Sequence, residues 1–219
     1  MITIEDIRNN EAINTYIKRA DESLIALGYT EHSFAHVTKV GTTAKYILET
    51  LGYSAHDVEL VQIAAYLHDI GNLVNRTDHS FSGAVMAFRL LDKLGMPPED
   101  IATITTAIGN HDEGTGVCVN PIAAALILGD KTDVRRSRVR NSDTSTFDIH
   151  DRVNYSVKKS IVKINEEKTI IKLKLVIDTH FGSIMDYFEI FLERMILCRK
   201  AAETLGLQFK LIINEHQLI

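Results

Sequence analysis

The run Ala64-Ala65-Tyr66-Leu67-His68-Asp69-Ile70-Gly71-Asn72 constrains this chain more than any other stretch. From Asp57 to Asp69 the residues are apolar nearly all round a helix, which predicts a central buried helix. Such a helix has little reason to carry an adjacent imidazole and carboxylate, because an unpaired buried charge is costly. A divalent metal would satisfy both. One His-Asp pair arises by chance in many chains, so its meaning depends on its company. His36 precedes it, and His79, His111 and Asp130 follow, each beside a helical apolar pattern.

The first 135 residues read as helices with short connections. Asn10 to Leu27 carries Ile13, Ile17, Ala20, Leu24 and Leu27 at helical spacing and is stopped by Gly28. Ser33 to Leu51 repeats the pattern, with His36 one turn before Val40 on the inward face. Ser80 to Leu94 predicts a further helix, closed by Gly95 and Pro97-Pro98. A helix from Pro98 puts Ile101, Ile104 and Ile108 on one stripe, with His111 next on it. Asn120-Pro121 is a cap and first-turn pair for a helix to about Val134, with Asp130 on the face of Ala123 and Ile127.

After about residue 150 the character changes. Val153 to Ile164 and Thr169 to Asp178 are rich in β-branched residues and flank a turn at Asn165-Glu166-Glu167-Lys168. Gly182 to Leu205 is an amphipathic helix and Leu207 to Ile213 a last strand. The expected organisation is a mainly α protein: a helical domain over residues 1–150 and a small α+β appendage (hairpin, helix, strand) over 151–219. So small a sheet is marginal alone, so it should pack on the helical domain or on a second copy in a homodimer.

A chain of 219 residues with 45% apolar and 24% charged residues is of ordinary globular composition. Its net charge of −5 does not suit a polyanion such as nucleic acid as partner. No long uncharged apolar run and no signal-peptide pattern is present, so a cytoplasmic protein with no membrane partner is expected. Cys118 and Cys198 lie far apart and read as free thiols.

Every step between the candidate ligands except the short one, Asp69 to His79, is about a helix and a turn long. That lets side chains from several helices meet at the centre of a bundle. Imidazole with carboxylate suits Fe, Mn, Co, Ni or Zn better than Ca or Mg. A single histidine on an apolar face is more often a hydrogen-bonded core residue, so the set carries the argument.

The order His, His-Asp, His, His, Asp, from about residue 30 to 135, resembles the HD superfamily of metal-dependent phosphohydrolases. His36-Val37-Thr38-Lys39-Val40 looks like that family's opening pattern, which favours His36 over His32 one turn earlier. Asp78-His79-Ser80-Phe81-Ser82-Gly83-Ala84 and Asn110-His111-Asp112-Glu113-Gly114 look like the additional-histidine motifs of its two-metal members. The resemblance implies two divalent transition metals, Fe or Mn preferred. His36, His68, Asp69 and Asp130 would hold the first, and Asp69, His79 and His111 the second, with Asp69 bridging. A water between the metals would become hydroxide near neutral pH and attack phosphorus in line.

On that reading Asp69 and Asp130 are catalytic through the metal-bound water, and Lys131 assists. Arg135, Arg136 and Asn72 are the candidate substrate contacts. Asp133 either orients a ligand or pairs with a basic neighbour, and His150-Asp151 reads as a junction element. Asn72 replaces the lysine of the cyclic-di-GMP phosphodiesterase branch, and Gly71-Asn72 the acidic pair of guanosine-tetraphosphate hydrolases. The expected activity is cleavage of a phosphate ester or anhydride, of a nucleotide for preference. The alternatives are a metal-bound nucleotide sensor and a di-iron oxygenase.

Overall fold

Capping chemistry sets most of the helix starts in the computed structural model, which describes residues 2–218. Thr3 and Asp6 form a reciprocal capping box on the short α1 (Ile4–Arg8). Asn10 caps α2 (Glu11–Ala26), and α3 (Phe34–Leu51) ends on Gly52, whose φ of +87° needs a residue without a β-carbon. A second box, Ser54 with Asp57, starts α4 (Ala55–Leu67). A 3-10 turn, Ile70–Leu73, leads on to α5 (His79–Lys93). Then come α6 (Pro98–Gly109) and α7 (Pro121–Lys131), the latter capped by Asn120.

The second part holds α8 (Ile149–Ser156), β1 (Val157–Ile164), β2 (Ile170–Ile177), α9 (Ile184–Thr204), β3 (Gln208–Ile213) and the short β4 (His216–Gln217). The sheet order is β1-β2-β3-β4. β1 and β2 form the antiparallel hairpin expected around Asn165, whose Oδ1 accepts from the Thr169 and Ile170 amides. β3 pairs parallel to β2, so α9 is the crossover of a β-α-β unit. The protein is thus mainly helical with a small C-terminal sheet.

Two boundaries differ from expectation. The segment Val153–Ser156, expected as the start of a strand, is the last turn of α8, because Asp148 caps the Asp151 amide and nucleates a helix there. His68 and Asp69 lie just past the end of α4, not within it.

Helices α3, α4 and α7 pack together, and every residue of α7 from Ile122 to Lys131 is buried. α9 packs on α7, and Tyr187, Phe191, Met195 and Cys198 are among its buried residues. One apolar core runs without a break from Ile63 and Leu126 to Leu173 and Leu211 in the sheet. Among the described residues no helix is long and apolar enough to cross a membrane.

The turn after Asp69 touches α5 so closely that only glycine fits. A β-carbon on Gly71 would overlap the His79 carbonyl oxygen and the Gly83 nitrogen, both main-chain atoms that cannot rotate away. Gly71→Ala is therefore expected to cost ~3 kcal/mol, the upper range for overpacking. In a chain of this size that lowers the melting temperature by roughly 6–12 °C. Thermal unfolding checks it, and a melting temperature equal to the parent's refutes the contact.

Candidate metal centre

Helix ends supply nearly all of the polar cluster. His36 is in the first turn of α3, His68 and Asp69 follow α4, His79 opens α5, His111 lies two residues past α6, and Asp130 is near the end of α7. All six side chains are buried, His36 and His68 completely. Asp69 Oδ2 lies 3.5 Å from His36 Nε2 and 3.3 Å from His68 Nε2, while its Oδ1 lies 3.5 Å from His79 Nε2. Asp130 Oδ1 is 3.2 Å from His36 Nε2 and 3.7 Å from His68 Nε2. The His111 ring stands edge-on to His68 and His79, with centroids 5.0 and 5.1 Å away.

The far side of each ring is already engaged. His68, His79 and His111 bring Nδ1 to the carbonyl oxygens of Ala65, Arg76 and Ile108, each three residues earlier. His36 Nδ1 meets Asp133 Oδ2 at 2.8 Å. Nδ1–H therefore donates outward and Nε2 keeps its lone pair for the centre, the arrangement that orients metal-binding histidines. His36 Nε2, His68 Nε2, Asp69 Oδ2 and His111 Nε2 are buried without a hydrogen-bond partner. Orphaned polar atoms of this kind are rare and costly. Donor atoms of His36, His68 and Asp130, and again of His68, Asp69 and His111, lie within 4.8 Å of one another. These residues fit a divalent cation.

Electrostatics agree. Burial opposes charge on Asp69 and Asp130, but His68 beside the first and Lys131 beside the second hold both carboxyls well below the usual range. Burial would lower His68, yet Asp69 and Asp130 outweigh it and carry its pKa up to about 10. The pair draws a positive charge to itself. Burial, helped by His68 and Lys131, pushes His111 well below its ordinary value. Burial likewise raises Asp133, but the hydrogen bond to His36 brings it down to about 2.

Asp133 does both things the sequence allowed, holding His36 and accepting from Arg135 Nε at 2.9 Å. Lys131 is buried against Asp130 Oδ2 and Glu113 Oε2, both at 2.7 Å, and Arg194 Nε holds Glu113 Oε1 at 2.7 Å. A cavity of about 420 Å³ opens on Asp69, His79 and Asp130. Its cations are Arg76, Lys131, Arg138 and Arg194.

Three expected substrate contacts are placed differently. Arg135 is spent on Glu31 and Asp133, and Arg136 lies over the rings of Tyr155 and Phe181 with Nε donating to the Tyr155 carbonyl. Neither lines the cavity. Asn72 is buried and donates to Asp69 Oδ1 at 3.0 Å, so it orients the carboxylate. Sequence reasoning did not single out Arg76, Arg138 or Arg194. Only Arg76 had a legible signal, as a cation three residues before His79. His150 also lines the cavity rather than serving only as a junction.

Fold and cluster together define a helical protein with a buried imidazole–carboxylate centre suited to a divalent metal. The chain belongs to the HD domain family, whose model matches residues 33–173, from the cap of α3 into β2. That family is one of metal-dependent phosphohydrolases, and an HD domain implies divalent-metal binding. The matched span crosses residue 150, as does the core.

The chain is similar to an uncharacterized protein of Methanocaldococcus jannaschii, 26% identical over 202 residues, 81% of this chain and 77% of the relative. It is also similar to Endonuclease MutS2 of Finegoldia magna, 22% identical over 198 residues, 84% of this chain but 22% of that protein. Among solved structures, a predicted HD superfamily hydrolase from an uncultured Thermotogales bacterium aligns at 24% identity and TM-score 0.45. That alignment covers 57% of this chain and 67% of the other.

Proposed function

We propose that this protein hydrolyses a small phosphate ester or anhydride, a nucleotide for preference, using two divalent transition metals. His36, His68, Asp69 and Asp130 would hold one metal, and Asp69, His79 and His111 the other. The observation that carries the reading is the set of buried, partnerless donor atoms turned to one centre beside a cationic cavity. When bound, the metals supply Lewis acidity and a water of lowered pKa for attack at phosphorus.

The chain's own residues do the rest. Arg76, Arg138 and Arg194 face the cavity as donors for phosphate oxygens, and Lys131 keeps Asp130 ionised and fixed. Arg76 is the most adaptable of them. Its side chain is 27% exposed, its nearest carboxylate oxygen is 4.0 Å away, and it reaches Asn72 Oδ1 at 3.3 Å. His32 bonds through Nδ1 to the Thr30 carbonyl at 2.6 Å, which leaves Nε2 to accept a hydrogen bond from a substrate hydroxyl. Four cations in the wall favour a phosphorylated substrate over oxygenase chemistry.

Protein purified from metal-replete medium without chelator is expected to hold close to two metals per chain and to release phosphate from generic phosphodiesters or nucleotides. A chelator should remove the activity, and added Mn or Fe should restore it. Nucleotide binding without turnover would make the protein a sensor, and oxygen-dependent turnover an oxygenase. One metal in a fully loaded preparation would reduce the mechanism to a single centre.

The Asp133 contact gives a milder test. Asp133→Ala frees the His36 ring and should weaken metal binding by about 10–100-fold, the usual effect of losing an orienting partner. Asp133→Asn should fall between, since its amide oxygen can still accept from Nδ1. Competition against a chelating dye measures both, and parental affinity in the alanine variant refutes the role.

A further inference from the structure

Strand register gathers the lysines of the sheet on one face. Lys163 stands opposite Lys172, and Lys172 opposite Lys210, so three ammonium groups cross three strands in one row. In the next row Lys174 lies between Ile161 and Ile212, and in the third Lys159 faces Val176. The alternate residues, Leu173, Leu175, Phe209 and Leu211 among them, are buried in the core on the other side. Among the described strand residues, none on this face is acidic. Among the described strand residues only Lys158, beside the bulge, has a carboxylate partner, Asp178 at 2.9 Å.

Like charges directly opposite one another destabilise a sheet. A row of three with no counter-charge is a cost that packing does not explain. The net charge of −5 hides it, because the acidic residues lie elsewhere. We propose that this face docks the protein on an anionic lipid bilayer. Five ammonium groups fall within the cluster of about four to eight that anionic headgroups attract. Ile161 and Val176 are 40% and 43% exposed between them. Lysine stems lie along such residues while their charged ends reach outward. A bilayer offers a plane of phosphates over an apolar layer, so it satisfies both residue types at once.

Nucleic acid is the rival polyanion, and the face lacks what it needs. It carries no aromatic ring to stack a base and no guanidinium to fork a base edge. Its aliphatic residues would be pressed against phosphates. A two-fold contact with a second copy would set lysine against lysine.

The test uses the full metal-loaded chain, sedimented with vesicles of equal parts phosphatidylserine and phosphatidylcholine, and with pure phosphatidylcholine. Binding is expected to the anionic vesicles alone and to fade as salt rises. Each lysine at an anionic surface is worth roughly a fivefold change in binding. The triple variant Lys163→Ala, Lys172→Ala, Lys210→Ala should thus bind roughly a hundredfold more weakly, with parental metal content and an unchanged or raised melting temperature. The corresponding triple arginine variant should bind like the parent. Failure to bind anionic vesicles overturns the proposal, as does parental binding by the alanine variant. So does tighter binding of a labelled DNA duplex through the same lysines.

Discussion

Replacing Asp69 with alanine is expected to leave a folded chain with no bound metal and only residual hydrolysis. One carboxylate reaches His36 and His68 with Oδ2 and His79 with Oδ1, so its two oxygens join the two halves of the centre. Its loss leaves Asp130 as the one carboxylate among the proposed ligands. The rate should fall by about four powers of ten, or ~5 kcal/mol of transition-state stabilisation. Folding should survive, since the variant removes a buried charge. His111→Ala provides the contrast. His111 sits at the edge of the cluster, beside His68 and His79, and its loss should leave one metal with a much reduced rate. Elemental analysis of the two variants beside the parent decides the matter, and equal metal in Asp69→Ala and parent sinks the bridging role.

A chain ending at residue 150 is expected not to fold. The segment beyond it provides the cover for α7, whose residues from Ile122 to Lys131 are all buried. Removing α9 strips away Tyr187, Phe191, Met195 and Leu197, all nearly or wholly buried. At about 1.5–3 kcal/mol for each large side chain, that is roughly 6–12 kcal/mol, comparable with the stability of a whole domain. Glu113 would also lose Arg194, leaving Lys131 as its only close cation. Circular dichroism on heating provides the test. A cooperative transition in the fragment, with metal retained, would show that residues 1–150 stand alone.

The helices were legible because their signals are local. Apolar residues at Ile13, Ile17 and Leu24, the Asn10 and Asn120 caps and the stops at Gly28 and Gly52 lie within a few turns of what they determine. α8 was misread because Val153, Tyr155 and Val157 are strand formers, while its start depends on the single cap at Asp148. The parallel β2–β3 pairing has no local signal at all, because it joins strands separated by the whole of α9. Spacing also brought His36, His68, Asp69, His79, His111 and Asp130 into view as a set, since apart from adjacent His68-Asp69 and the short step to His79 each lies about one helix from the next. The cavity cations were not so accessible. Arg135 and Arg136 are neighbours of Asp130 in sequence but point to Glu31 and Tyr155, whereas Arg194 arrives from a helix far along the chain.

The carbonyl partners of the histidine rings have a consequence for how such a centre can be moved or inherited. His68, His79 and His111 each carry their own orienting oxygen within four consecutive residues. Each is a cassette: transplanted to another helix end, it would bring the ring already turned and with its proton on the correct nitrogen. Substitutions elsewhere can drift without disturbing that setting. His36 is not portable in this way, because its partner Asp133 lies 97 positions away. α3 and the loop after α7 must therefore change together or not at all, and recombination between them would break the centre at that one joint.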